Sequence, residues 1–153
     1  MARFVYFFTL AVALFFSCVM AAPVENNRRQ IGNLACNIAR LKTVAGLAKS
    51  AAAIKAATAA AKGDAATTAQ LQTAAQGVTS AQAGVAKIAA ALLTGQTAPA
   101  ADRQQVQDGL TAASTALGST AAADPKVDTA VANASSAVEG TTQAGEQVVS
   151  ECK

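Results

Sequence analysis

Apolar residues recur along this chain at heptad spacing. Leu71, Val78, Val85 and Leu92 follow at seven-residue intervals with Ala74, Ala81 and Ile88 between them, an alternation that gathers them on one narrow face of an α-helix. A second row, Val127, Val131, Ala134, Val138, Thr141, Gly145 and Val148, alternates steps of four and three. Ile31, Leu34, Ile38 and Leu41 begin a third, whose phase shifts near Gly46 to run through Val44, Leu47 and Ile54; the shift predicts a stutter or a bend. Val106, Leu110, Ala113 and Leu117 form a shorter fourth row. The rows are separated by Gly63-Asp64, by Gly95 to Pro99 and by Gly118 to Pro125. The last break ends in Asp124-Pro125, where Asp caps a helix that opens on Pro.

Four helices with short connectors predict an all-α, alanine-rich antiparallel bundle of up-down-up-down topology, with long coiled-coil-like helices. That topology brings the start of the first helix and the end of the fourth to the same end of the bundle. Cys36 and Cys152 fall at those two places, so one disulfide between them is expected in an oxidising compartment. Closing so long a loop contributes on the order of 4 to 5 kcal/mol in the chain-entropy model. Gly77, Gly84, Gly109, Gly140 and Gly145 interrupt the rows, each at roughly 1 kcal/mol relative to Ala; close packing or plain tolerance accounts for them.

The amino terminus follows a different pattern. Phe4 to Phe16 is an apolar run after Arg3, and Val19-Met20-Ala21 supplies the small residues a signal peptidase reads. Residues 1–21 are therefore expected to be a signal peptide, 22–30 a flexible N-terminal segment, and 31–153 a single helical domain of a secreted, extracellular protein. Cleavage removes Cys18 together with all six aromatic residues and both methionines. No later stretch is apolar enough for a transmembrane segment in the mature chain.

Composition changes this picture in one respect. Alanine makes up 38 of the remaining 132 residues, whereas Val, Leu and Ile together number only 22. Aliphatic content this low makes disorder a competitor, and the periodicity decides for the bundle. Charge is divided along the chain: eight cations against two acids from Glu25 to Lys87, then seven acids against three cations from Asp102 to Lys153. Halves of opposite sign attract across a bundle, although exposed pairs contribute little each.

Candidate chemistry is sparse, and no enzymatic role is expected. The chain has no histidine and no CxxC spacing, so neither a nucleophile with its base nor a metal site is expected, and no cofactor. Asp124 and Asp128 stand at a helix start, where they are helix-dipole partners rather than an acid-base pair. Without aromatic stacking residues or a strong basic excess, nucleic acid is not an expected partner. Two processing signals stand out: Asn133-Ala134-Ser135 is an N-glycosylation sequon if exposed, and Arg28-Arg29 followed by Gln30 is a dibasic cleavage pattern.

Helix surface is what remains to carry a function. The expected role is structural or binding, with amphipathic helices acting on lipid or another hydrophobic surface. An alternative is a cationic membrane-active or processed peptide from residues 30–62, since Arg28 to Lys62 carries seven cations and no acid. With the phase shift at Gly46, however, those cations do not gather opposite one apolar face. A third reading is ice or crystal-surface binding. Ser50 to Lys62, with Thr58-Ala59-Ala60, resembles the alanine-rich helical antifreeze proteins in composition. The Thr-Ala-Ala unit recurs at Thr58, Thr73, Thr111 and Thr120 at irregular gaps, and the resemblance assigns no site residues.

Overall fold

The computed structural model of the protein describes residues 34–152. The expected signal peptide and N-terminal segment, including Arg28, Arg29 and Ile31, lie outside the described residues. Four helices follow: α1 (Leu34–Ala60), α2 (Ala65–Leu93), α3 (Ala100–Gly118) and α4 (Pro125–Glu151). The all-α bundle expected from the sequence is the fold observed. α1 packs along α4 and α2 along α3, while the contacts between α1 and α2 and between α3 and α4 are sparser.

The helix boundaries have local causes. After α1 the chain turns at Gly63, whose φ of 101° lies in the left-handed region that glycine adopts without strain. Asp64 then caps α2: the Thr67 amide donates to its Oδ1 at 3.0 Å and the Thr67 hydroxyl to its Oδ2 at 2.7 Å. These two bonds hold the Asp64 carboxyl below its ordinary pKa. α2 ends in a Schellman arrangement around Gly95, with Gln96 N donating to Ala91 O and Gly95 N to Leu92 O. α4 opens as expected, with Pro125 in its first turn and the Asp124 side chain accepting from Lys126 N at 2.8 Å.

Close approach explains how so few large side chains make a core. A methyl group on Gly77 would sit 2.6 Å from the Gly109 carbonyl oxygen, and one on Gly109 would sit 2.5 Å from that of Gly77. The α2 and α3 backbones therefore touch at this crossing, and only glycine fits on either side. Gly46 has the same role between α1 and α4, where an added Cβ would meet the Thr141 hydroxyl at 2.6 Å. Gly140 and Gly145 face nothing within 4 Å and are tolerated rather than required. Beside Gly46, the buried hydroxyls of Ser50 and Thr141 are 3.0 Å apart. Thr141 donates its proton to Ala137 O at 2.8 Å, which leaves Ser50 as the donor to Thr141. This buried polar pair is thus satisfied.

The central cluster joins Leu47 and Ile54 of α1, Leu71 and Val78 of α2, Leu110 and Leu117 of α3, and Val131 and Val138 of α4, filled in by alanines. All four expected rows contribute, the third only in part: its Leu47 and Ile54 are buried, but Leu34, Ile38, Leu41 and Val44 are exposed, and the row that α1 buries is Cys36, Ala39, Thr43, Leu47, Ser50, Ile54 and Ala57. α1 runs on through Gly46 as one helix of 27 residues. What reads in sequence as a stutter is two separate stripes on one continuous helix. Among the described residues the one ion pair is Lys87–Asp102, at 4.0 Å between α2 and α3, so the opposite charges of the two halves meet in a single pair.

Candidate functional site

The buried row of α1 determines what its other side presents. At about 100° per residue, Leu34, Ile38 and Leu41 lie opposite Cys36, Leu47 and Ile54, and Ala45, Ala48 and Ala52 continue their row at steps of four and three. These side chains are open to solvent: Leu34 is 76% exposed, Leu41 58%, Ile38 44% and the neighbouring Val44 41%. Large aliphatic groups are scarce in this protein, and α1 places four of them outside.

Cations border the stripe on both sides. Lys42 and Lys49, one heptad apart and both exposed, follow the edge nearer α4; Arg40 and Lys55 lie along the edge nearer α2. α1 contains no acidic residue. None of its four cations is in an ion pair with another described residue. Three of the four acids of α4 point elsewhere, while Glu151 in its last turn falls on the side of Ala144. Asp128, Glu139 and Glu146 share the face of α4 opposite Ala137, Thr141 and Ala144, the residues turned toward α1. An apolar stripe with basic edges and a separate acidic ridge therefore occupy different sides of the molecule.

The stripe sits at one end of the bundle. By topology, the start of α1, the end of α2, the start of α3 and the end of α4 meet there, and Leu93 and Val149 are the other large hydrophobic residues exposed at that end. The end is held by Cys36 and Cys152, which stand at disulfide distance with Cα atoms 5.0 Å apart, across 116 residues of sequence. Cys36 is fully buried and belongs to the inner row of α1. The cross-link thus fixes the rotation of α1 and keeps Leu34, Ile38 and Leu41 turned outward.

The remaining sequence candidates are not brought to this stripe. Asn133 is exposed on α4, with Ser135 half-buried two residues on. Thr58, Thr73 and Thr111 lie on α1, α2 and α3, and Thr120 follows α3; Thr58, Thr73 and Thr120 donate their hydroxyls to Ile54 O, Ala69 O and Ala116 O of the preceding turn. A wide-mouthed depression of about 350 Å³ lies over Gly63, Asp64, Thr68 and Gln72, where the Asp64 carboxylate is already engaged as a helix cap. Among the described residues there is no cluster of His, Cys, Asp or Glu able to hold a metal ion, and no helix long and apolar enough to cross a membrane.

Sequence reasoning missed the outer stripe because it took the largest aliphatic groups to be the core. Cys36 carried the missing signal. If Cys36 must face Cys152, the inner row is the one that contains Cys36, and Leu34, Ile38 and Leu41 fall outside it. The chain matches no family model, no curated protein and no solved structure.

Proposed function

We propose that this is a secreted, non-enzymatic helical protein that acts through the outer face of α1, binding lipid or another hydrophobic surface. The observation that carries this reading is the exposed row Leu34, Ile38, Leu41 and Val44, in a chain whose buried core is more alanine than any other residue. Fully burying one such side chain is worth about 1.5 to 3 kcal/mol, so leaving four in water has a cost that contact with an apolar surface recovers. Without Trp or Phe in α1, contact is shallow rather than deeply inserted.

Partition of the purified protein onto hydrophobic beads tests the reading. Leu34→Ser with Leu41→Ser should reduce partition by on the order of 10-fold or more, given the transfer free energy of two leucines. Equal partition of variant and parent contradicts it. The secreted part is tested separately: a reporter fused after residue 30 should leave the expressing cell, and retention overturns that part. A membrane-disrupting role draws on the same four cations of α1. It differs in predicting leakage of a dye trapped in vesicles, whereas surface binding predicts contact with the dye retained.

A further inference from the structure

We infer that the outer face of α1 docks on an anionic lipid surface, with Leu34, Ile38 and Leu41 at the headgroup boundary and Lys42, Lys49, Arg40 and Lys55 on the headgroups at either side. The inference rests on the surface-binding reading and names its ligand. Its basis is the joint geometry of the stripe: exposed aliphatic groups in a continuous row, cations on both edges, no acid anywhere on the helix, and no ion pair between those cations and the other described residues.

Charge complementarity selects this occupant over the alternatives. A second copy seated stripe to stripe would set Lys42 and Lys49 against cations, because α1 has no acid to receive them. A second copy offering its acidic ridge would supply Asp128, Glu139 and Glu146, but the residues beside them on that face are Ala132, Ser135, Thr142 and Ser150. With Val149 at its rim as the one exposed large aliphatic group, that surface has little with which to bury a leucine row. Residues 22–33 carry Arg28 and Arg29 against Glu25 alone, a net charge of the same sign as the edges they would have to cover. An anionic bilayer surface provides both requirements at once, negative charge at the headgroups and hydrocarbon just beneath them. The acidic ridge of α4 is turned away from α1 and does not oppose the approach; Glu151, at the end of α4, is the one acid of that helix on the α1 side, against four cations on α1.

The test uses the purified full chain with two vesicle compositions, pure phosphatidylcholine and an equal mixture of phosphatidylcholine and phosphatidylserine, alongside the hydrophobic beads. Binding should be strong on the mixed vesicles, weak on the neutral ones, and should fall steeply with added salt. Lys42→Gln with Lys49→Gln should lower affinity for the mixed vesicles by roughly 25-fold, from a contribution of about 5-fold per cation near such a surface. Lys42→Arg with Lys49→Arg should restore it. All four positions are exposed or at an edge of α1, and an unchanged helical spectrum confirms that each variant folds. Equal binding to both vesicle types, or no effect of Lys→Gln, overturns the lipid inference while binding to beads leaves the broader reading intact. Binding to neither vesicles nor beads overturns both. Sedimentation as a dimer that Leu34→Ser with Leu41→Ser converts to monomer would show that a second copy covers the stripe, and would overturn the inference as well.

Discussion

Gly77 and Gly109 lie where two helix backbones meet, and Gly140 and Gly145 lie on an open helix surface. The same residue type should therefore respond in opposite directions to one added methyl group. Gly77→Ala or Gly109→Ala forces α2 and α3 apart against backbone atoms and should destabilise the fold by about 1 to 3 kcal/mol. Gly140→Ala meets nothing within 4 Å and should stabilise it by roughly 0.5 to 1 kcal/mol through helix propensity and a less flexible unfolded chain. Urea unfolding of the three variants checks this, and effects of the same sign at all three would contradict the close crossing. Sequence alone left these glycines undivided, because which of them face a neighbouring backbone depends on the rotation of each helix. The same limit applied to α1. Its inner row is small at Ala39, Thr43, Gly46 and Ser50 because α4 approaches closely there, and a close interface has no room for Leu34 or Ile38. Reading the core by side-chain size works for α4, where Val127, Val131 and Val138 are buried as expected; it fails where small residues make the contact.

At the scale of the elements, α1 is a helix with two apolar faces, and α2 is a helix whose start is set by one carboxylate. The connectors, the Asp124-Pro125 start of α4 and the helix count were legible because glycine, proline and capping residues act locally. Asp64 makes a testable case. Its pKa is lowered in the folded state by the Thr67 amide and hydroxyl, so its ionised form stabilises the fold. That contribution is complete above the ordinary carboxylate pKa and is lost as pH falls through the lower folded value. Asp64→Asn keeps an acceptor for the Thr67 amide but no longer titrates. The stability difference between parent and variant should be present at neutral pH and shrink toward zero in strong acid. Thermal melts of both proteins across that range check it; a difference that stays constant with pH would contradict a titrating cap.

The whole molecule divides into two close pairs, α1 with α4 and α2 with α3. Their shared core, with Leu71, Ile54, Leu117 and Val138 at its centre, draws on all four helices, while Cys36–Cys152 secures the start of α1 to the end of α4. Cys36→Ser with Cys152→Ser should lower the melting temperature markedly, since a loop of this length is worth on the order of 4 to 5 kcal/mol in the chain-entropy model. Its loss should loosen the first turns of α1 before the core, which hydrogen exchange would resolve residue by residue. An unchanged melting temperature would remove the cross-link from the account. The pairing of these cysteines was legible from topology, but the consequence of burying Cys36 was not. It turns the remaining aliphatic residues of α1 outward, and the binding surface depends on that rotation. The most direct test is to measure vesicle binding and melting temperature together for Leu34→Ser with Leu41→Ser. Binding to phosphatidylserine-containing vesicles should be lost while the melting temperature stays within a few degrees of the parent. Retained binding, or a collapse of the melting temperature showing these leucines to be core, would contradict it.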